Sequence, residues 1–476
     1  MKTITAAVIT FSCFLLSCTK DFEEINTDPN RIDQISPGTL LNPIIYDAAS
    51  FGMDRSAAIT FELMQVDLPF PSTSGGIHRY DLSDNIGNST WNTYYRLLAN
   101  IKEMYAASVK ANDPNYQAIA MTLNAWIYSN LTDAFGDVPM NEAARGDEQI
   151  FRAKFDKQQD IYPKLLNDLD SANRLFITSK AMIYGTEILY GNSVLKWKKF
   201  CNSLQMRLLL RVSKRAEMNS LARIRTIVAD PVKFPIFTSN TDAAILTLSG
   251  ITPFVSPWGR PIDFPLFRAA GKFFLDSLNA LDDPRRAKFA TEARNKTGNT
   301  AIGYRGIPSG YTGGENQFDY IPSVFQVGLV TAPMIVPIMP YSEVEFIKAE
   351  LELKSGTSAA AKTAYEKGVR AAIEQWGLVM PTDYFTNLRA AYNNTLERIM
   401  LQKYYALFFV DFQQWFEQRR TGLPVLPPGP GMLNNKEVPS RFEYPLPVRT
   451  NNPTNYAEAV GWMGGDEINT KVWWQK

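Results

Sequence analysis

Pairs of amphipathic segments, each long enough for an α-helix and joined by a short turn, are the feature that most restricts the fold. Apolar residues recur every three or four positions from Tyr94 to Tyr105, and again from Tyr116 to Leu131 after an Asp113-Pro114 turn. Such spacing places the apolar side chains on one face of each helix. Because a short turn makes the two helices antiparallel neighbours, the pattern predicts a helical hairpin and a mostly α fold.

The same periodicity predicts two more hairpins and one long helix. The second hairpin is expected at about Gln158 to Leu175 and Ser193 to Lys214, the third at about Tyr341 to Lys354 and Ala359 to Trp376, and the long helix at about Leu396 to Arg420. Small residues in the third hairpin, such as Ala364 and Gly368, allow close helix approach, as in tetratricopeptide hairpins. The aromatic residues of the helices are expected in the core: Trp91, Tyr94, Trp126, Trp197, Trp376 and Trp415.

Residues 230–340 differ from the helical segments in composition and pattern, since Pro, Gly and aromatic residues are frequent there and regular periodicity is lost. A β-favouring run covers Ala243 to Leu248, and one helix is expected from about Pro265 to Leu281. We therefore predict a helical scaffold over residues 39–229 and 341–421, interrupted by a loop-rich insert at 230–340 that carries binding loops. Residues 422–476 are Pro-rich and are expected to be mostly irregular and packed on the scaffold.

The amino terminus predicts export and lipid anchoring. Lys2 precedes a short apolar stretch from Ile4 to Leu16, so residues 1–17 have the features of a secretory signal. The sequence Leu15-Leu16-Ser17-Cys18 resembles the bacterial lipoprotein box, which implies that Cys18 is acylated and that residues 18–38 form a tether. Charged residues directly after Cys18 resemble a surface-export signal. The expected location is the outer membrane, with the protein facing the cell exterior.

Composition argues against several functional classes. Lys and Arg total 49 and Asp and Glu total 48, so no excess charge attracts nucleic acid. The only histidine, His78, excludes a multi-histidine metal site, and a Ser-His-Asp triad would need it. No phosphate-binding Lys follows the glycines of residues 303–314. We predict no enzyme activity, no cofactor and no metal. Cys201 is expected to be a buried free thiol.

Two loop regions combine exposed aromatic residues with hydrogen-bonding groups, which is the mixture that sugar binding requires. The predicted ligand residues are Phe70, His78, Arg79 and Tyr80 in a ligand loop at 66–90, and Trp258, Arg260, Tyr304, Tyr311, Phe318 and Tyr320 in the insert. Trp258 lies in Pro257-Trp258-Gly259, a turn expected to present its ring outward. Its replacement by Ala is therefore expected to leave the fold intact.

Several stretches, in order along the chain, resemble the SusD/RagB family of outer-membrane nutrient-binding lipoproteins. They are Asp21 to Asn30, Leu131 to Pro139, Lys196 to Phe200 running into Asn202 to Leu204, Tyr341 to Phe346, and the tail segments Arg441 to Pro445, Asn455-Tyr456, Gly464 to Asp466 and Thr470 to Trp474. Most of these stretches are scaffold. In Asp133 to Pro139 the role is expected to be structural, because Gly136 and Pro139 shape a turn after a helix.

The resemblance implies tetratricopeptide-like hairpins in a right-handed superhelical scaffold with an irregular loop-rich subdomain. It implies a SusC-like TonB-dependent barrel as partner, and binding of an oligosaccharide, or in some members a peptide, without chemistry on the ligand. The clustered loop aromatics favour a glycan. A peptide ligand, or a structural lid for the barrel with weak ligand affinity, are the alternatives.

Overall fold

The computed structural model describes residues 35–71 and 76–476. The predicted signal sequence, the Cys18 lipidation site and nearly all of the tether lie outside the described residues, as does part of the ligand loop, residues 72–75. Within the described ranges, no helix is both long and apolar enough to cross a membrane.

The amino-terminal part of the scaffold is a series of helices, each of which packs on the next. Its helices are α1 (Pro37–Arg55), α2 (Asn88–Lys110), α3 (Pro114–Phe135), α4 (Gln158–Leu175), α5 (Val194–Arg211) and α6 (Ser220–Ala229). Helix α2 packs on α3, α3 on α4, and α4 on α5. The Asp113 side chain accepts a 3.1 Å hydrogen bond from the Asn115 N–H, and Pro114 occupies the first helical position, so a cap starts α3 where the turn was predicted. The predicted first and second hairpins are confirmed.

The loop-rich insert contains short strands and two helices, and one further strand, β1 of the ligand loop, pairs with it. The strands are β1 (Asp67–Pro69), β2 (Ala244–Leu248), β3 (Arg268–Ala270), β4 (Arg294–Asn295), β5 (Tyr320–Ile321) and β6 (Met334–Met339), and the helices are α7 (Lys272–Leu281) and α8 (Arg285–Phe289). Three antiparallel pairs form: β1 with β3, β2 with β6, and β4 with β5. The predicted strand near Ala243 is confirmed. The helix predicted from Pro265 begins only at Lys272, because residues 268–270 pair with β1 instead.

The third hairpin consists of α9 (Tyr341–Ser355) and α10 (Ser358–Glu374). A Cβ atom on Gly368 would lie 3.0 Å from Cε1 of Phe346, so α10 approaches the α9 ring closely at this position. The long helix predicted over residues 396–420 is wrong. It is split into α11 (Leu396–Ala406) and α12 (Gln413–Thr421), since Phe409 and Asp411 have φ angles of 67° and 32°.

The carboxyl-terminal segment contains two helices that the sequence interpretation missed, α13 (Leu446–Asn451) and α14 (Pro453–Met463). Pro453 occupies the first position of α14, where a missing N–H has no cost. The chain then returns to α3, where the buried Trp474 contacts Asp133.

The scaffold core contains a cluster of buried ion pairs in addition to the apolar side chains. The pairs are Arg207–Glu343, Arg211–Asp133, Arg211–Glu417, Lys403–Glu417 and Arg420–Glu350. Burial disfavours the charged form of Glu350, yet the Arg420 guanidinium 2.6 Å away lowers the pKa of this carboxyl to about 2. The pairs join α3, α5, α9, α11 and α12. Because they are buried, removing one partner of a pair would leave an uncompensated charge in the core. The helical aromatics predicted for the core, and Cys201, are buried as expected.

Candidate functional site

The two predicted loop regions meet in one aromatic cluster. Antiparallel pairing of β1 with β3 joins the ligand loop to the insert. Beside this pair the ring of Phe318 lies 6.1 Å from Phe70, 5.7 Å from Tyr311 and 5.9 Å from Tyr320, measured between ring centroids. His78 lies 5.9 Å from Tyr311. Five of the ten predicted residues therefore come together, although those of the ligand loop and those of the insert are about 230 to 250 positions apart in the chain.

Four of the ten predicted ligand residues are buried in this structure, which corrects the expectation that they are presented to solvent. They are His78, Tyr80, Tyr311 and Phe318. Tyr311 and Phe318 form a small core with Leu68, Ala269 and Ile307. The Tyr311 hydroxyl donates a 2.8 Å hydrogen bond to the Pro69 carbonyl oxygen. This small core holds the ligand loop and the insert together, because burying rings and satisfying hydroxyls stabilises loops that have few regular hydrogen bonds.

Trp258 is half-buried rather than presented outward. Its ring contacts Phe264 and Phe409 edge-on, with centroid distances of 5.2 and 6.2 Å. The expectation of a freely exposed ring is therefore wrong. Arg260, two residues on, is exposed and forms a bidentate pair with Asp263 at 2.8–3.0 Å. Arg79 donates from Nε to the Gly431 carbonyl at 2.8 Å and so ties the ligand loop to the carboxyl-terminal segment.

The remaining predicted residues, Tyr304 and Tyr320, line an open cleft of about 740 Å³, which we call the tyrosine cleft. Its other lining residues come from α7, α8 and the loops that follow them: Lys272, Asp276, Asn279, Arg286, Glu292, Ile302, Gly303, Arg305 and Gly306. The volume is in the range of small-molecule sites. Phe70, Trp258 and Arg260 lie outside this lining.

Each tyrosine of the cleft is held by its neighbours. The Tyr320 hydroxyl donates to the Gly306 carbonyl at 2.8 Å, and the Asn279 side-chain amide donates to the Tyr304 carbonyl at 2.9 Å. The Arg286 guanidinium carbon lies 5.8 Å from the Tyr304 ring centre, and that of Arg305 lies 5.7 Å from the Tyr320 ring centre. Burial is the main cause that raises the pKa of both hydroxyls, so both stay protonated at neutral pH.

The sequence interpretation missed the helical side of the cleft. Lys272, Asp276 and Asn279 are spaced four and three residues apart, which places them on one face of α7. That spacing was visible in the sequence, but the helix was predicted to start seven residues too early and its polar face was not considered. The result is a cleft with two rings, an amide and charged groups, suited to non-covalent binding. Within residues 35–71 and 76–476, no three His, Cys, Asp or Glu side chains are placed to hold a metal ion.

A buried ion cluster fixes the strand pair beneath the loops, and the sequence interpretation also missed it. Arg268 of β3 donates from Nε to Asp67 at 2.9 Å and from Nη1 to Glu62 at 2.8 Å. The other oxygen of Glu62 accepts the His78 N–H at 3.1 Å. Burial raises the pKa of Asp67 to about 6, although the Arg268 charge opposes this shift. One guanidinium thus joins two buried carboxylates, and it links the ligand loop to the insert.

The profile of a SusD-like family, described as "Starch-binding associating with outer membrane", matches residues 29–445. No curated protein shows a significant match to the sequence.

Solved structures with the same fold cover nearly the whole chain. A chitin-binding protein has 24% identity and a TM-score of 0.79, over 92% of this chain and 99% of its own. A SusD homologue from Bacteroides fragilis has 23% identity and a TM-score of 0.79, over 93% and 100%. A chitin-binding SusD homologue from Flavobacterium johnsoniae has 19% identity and a TM-score of 0.77, over 91% and 98%. At these identities the likeness demonstrates a shared fold.

Proposed function

Because the chain belongs to the SusD-like family of outer-membrane-associated, starch-binding proteins, we propose that it binds a nutrient oligosaccharide at the cell surface and delivers it to a TonB-dependent SusC-like transporter. Members of the family are binding proteins, not enzymes. The proposal extends this family-level role to a particular ligand class, a partner and a site in this chain.

The tyrosine cleft is the observation that carries the proposal. A sugar ring offers a flat apolar face surrounded by hydroxyl groups, so its site needs aromatic rings together with donors and acceptors. Tyr304 and Tyr320 supply the rings, while Asp276, Arg286 and Arg305 supply charged hydrogen-bonding groups at the same opening. The cleft lies on the loop-rich insert, and its helix α7 packs on scaffold helix α11 through the rings of Phe274 and Tyr405, whose centroids are 5.1 Å apart.

Starch and chitin oligosaccharides are the first ligands to consider. The family is described by starch binding, and two of the solved structures of the same fold are described as chitin-binding. Both glycans consist of pyranose rings whose apolar faces can stack on tyrosine.

A peptide is the second candidate, because five of the eleven lining residues are charged: Lys272, Asp276, Arg286, Glu292 and Arg305. Groups of both signs can bind the charged termini and side chains of a short peptide by charge-assisted hydrogen bonds. A neutral glycan would use the same groups as hydrogen-bond donors and acceptors.

Lipid anchoring through Cys18 and a location on the outer surface belong to the same proposal. Two or more acyl chains on one residue give stable membrane attachment, whereas a single chain does not. Attachment would keep the tyrosine cleft close to a transporter in the same membrane and so raise the effective concentration of captured ligand there.

Isothermal titration tests the proposal directly. The chain from residue 19 onward is titrated with maltoheptaose, chitohexaose and a set of tetrapeptides, and each mixture is then analysed by mass spectrometry. We expect saturable binding of at least one oligosaccharide with no cleavage product. Preferential binding of tetrapeptides would replace the glycan assignment, and the absence of binding to every compound would favour a structural lid.

A further inference from the structure

A second cavity of about 340 Å³ lies at the carboxyl-terminal end of α12, and the side chain of Arg419 contributes to its wall. We call it the Arg419 cavity. Among the described residues, it shares no lining side chain with the tyrosine cleft. The ligand loop contributes Tyr80 to its wall, and the carboxyl-terminal segment contributes four apolar side chains: Val425, Leu426, Met432 and Val438. The cavity is therefore separate from the proposed glycan site.

Arg419 differs from the other buried arginines of the protein. Six arginine side chains are buried within residues 35–71 and 76–476. Five of them form an ion pair with a carboxylate at 2.5 to 2.8 Å: Arg207, Arg211, Arg285, Arg420 and Arg441. Arg419 forms no ion pair within the same ranges. Burial lowers the pKa of Arg419 to about 9, so the group still carries its charge at neutral pH. A buried charge without a partner is unfavourable.

The Nε and Nη2 atoms of a guanidinium lie on one edge, which can bind both oxygens of a carboxylate. Arg207 uses this edge for Glu343, with hydrogen bonds of 2.8 Å from Nε and 2.5 Å from Nη2. In Arg419, Nε makes no hydrogen bond, and Nη2 donates to the amide oxygen of Gln475 at 3.0 Å. Because Gln475 also lines the cavity, the edge that other buried arginines use for carboxylates lies beside the cavity.

The rest of the guanidinium is held by the scaffold. Nη1 donates to the Asp133 carbonyl oxygen at 2.8 Å. The guanidinium carbon lies 4.6 Å from the ring centre of Trp415, 4.7 Å from that of Trp474 and 5.3 Å from that of Phe416. These rings attract the cation through their π faces, but they supply no negative charge. None of the three lines the cavity, so they cover other sides of the group.

We propose that the Arg419 cavity binds a small carboxylate ligand, which pairs with the Nε and Nη2 edge of Arg419 and places a short apolar chain against Val425 and Leu426. The cavity volume is at the lower end of small-molecule sites. Two exposed side chains of opposite charge, Lys436 and Glu437, also line the cavity. Since their charges offset each other, the charge of Arg419 is in excess. The inference does not depend on the proposed glycan-binding function.

Thermal melting of the chain from residue 19 onward tests the inference with hexanoate as the probe. Sodium hexanoate should raise the melting temperature in a saturable manner, by roughly 3 °C at a concentration of about 100 Kd. Sodium chloride at the same concentration is the reference for ionic strength. Hexanamide has the same chain length without the charge, and it should leave the melting temperature unchanged.

Gln475→Glu supplies a carboxylate from the chain itself, next to Nη2 of Arg419. This variant should melt at a higher temperature than the wild type without any ligand, and it should no longer respond to hexanoate. Gln159→Glu is the matched control, because it adds the same charge at an exposed position of α4, and it should behave as the wild type. The two variants avoid substitution of Arg419, whose loss could unfold the protein.

Four results would overturn the inference. If hexanoate has no effect beyond that of sodium chloride, Arg419 has only a structural role among its three rings. An equal rise with hexanamide would show an apolar site in which the charge plays no part. A hexanoate response that persists in Gln475→Glu would place the anion elsewhere. Finally, a lowered melting temperature of Glu437→Gln would show that this exposed carboxylate itself serves as the partner of Arg419.

Discussion

The carboxylate of Asp133, near the end of α3, accepts a 2.7 Å hydrogen bond from the indole N–H of Trp474. The same oxygen accepts a 2.6 Å hydrogen bond from the Tyr162 hydroxyl of α4, and the second oxygen lies 3.1 Å from Nε of Arg211 in α5. All four side chains are buried. Asp133 therefore connects three scaffold helices with the carboxyl-terminal segment, as the expected structural role of residues 133–139 requires.

Replacement of Trp474 should destabilise the fold in two steps. Trp474→Phe keeps most of the apolar volume but removes a hydrogen bond to a charged group, and it should lower the free energy of unfolding by about 1.5–3 kcal/mol. Trp474→Ala also leaves a cavity and should cost about 3–5 kcal/mol or more. Urea denaturation measures both values. Trp462→Phe is the control, since Trp462 is 39% exposed, and equal stability of Trp474→Phe and the wild type would contradict the assignment.

Tyr304→Ala should weaken oligosaccharide binding without unfolding the protein. Tyr304 is half-buried and lies at the cleft surface, so loss of its stacking face should reduce affinity by roughly 5- to 150-fold, again borrowing from base stacking. The matched control is Tyr105→Ala, which removes a tyrosine that is 40% exposed on α2. Equal effects of the two substitutions in calorimetric titration would place the ligand elsewhere.

Trp258→Ala should lower stability, contrary to the expectation from the sequence. The half-buried ring makes edge-on contacts with Phe264 and Phe409, and two such aromatic pairs contribute about 1–3 kcal/mol beyond area burial. Urea denaturation should therefore show a lower midpoint. A variant with wild-type stability but reduced ligand affinity would instead indicate that the ring mainly serves the ligand.

The Asp67 carboxyl should make stability depend on pH. Its folded pKa of about 6 lies above the unfolded value of about 3.9, so the folded state binds the proton more tightly. The free energy of unfolding therefore falls as pH rises from about 4 to about 6, and the contribution of protonation is fully present only below the unfolded pKa. The Glu62 carboxyl and the Arg268 guanidinium are the charged groups that face Asp67.

Asp67→Asn removes this titration and isolates its effect. The wild-type free energy of unfolding minus that of the variant should decrease by up to about 3 kcal/mol between pH 4 and pH 7.5, at 1.36 kcal/mol per pKa unit. Burial raises the pKa of Asp137 to about 6 as well, but Asp137 is present in both proteins, so the difference cancels its contribution. A difference that does not vary with pH would contradict the raised pKa of Asp67.

Cys18→Ala should release the protein from the outer membrane. The prediction follows from Leu15-Leu16-Ser17-Cys18, because without the thiol no acyl chain can be attached. Cell fractionation is performed in a strain that lacks the transporter, since the barrel itself could retain the variant. If Cys18→Ala still fractionates with the outer membrane in that strain, the protein is held by something other than this lipid.

Helices with strong periodicity were predictable, and their interruptions were not. The second hairpin was predicted to begin with a helix at Gln158–Leu175, and α4 has these bounds. The break between α11 and α12 depends on distant contacts, since the Asp411 carboxylate accepts a 2.9 Å hydrogen bond from Asn130 and the Asp411 carbonyl accepts a 3.0 Å hydrogen bond from the Thr60 hydroxyl. Likewise, β3 forms because it pairs with β1, about 200 residues earlier. Local patterns do not contain these partners.

The sequence predicted that two loop regions carry the candidate site, but it could not predict which of their residues line the tyrosine cleft. Aromatic residues are concentrated in two Gly- and Pro-rich loop regions, and this composition identified both regions. The structure brings them together. Composition could not separate Tyr311, buried in the small core, from Tyr304, which lines the cleft, since burial is decided by the tertiary packing of each ring.

The pairing of β2 with β6 has a consequence for how this chain can diversify. The strand that enters the insert and the strand that leaves it are hydrogen-bonded to each other, with Leu248 opposite Met334. The segment between them is therefore a long loop whose two ends are held together by the strand pair. Doubling its length would cost only about 0.6 kcal/mol of chain entropy. Loops within it can therefore be lengthened while α6 and α9 keep their positions, provided that the parts packed on the scaffold are kept, such as α7 with Phe274 against Tyr405. The same helical frame can thus carry loops of different length and sequence between β2 and β6.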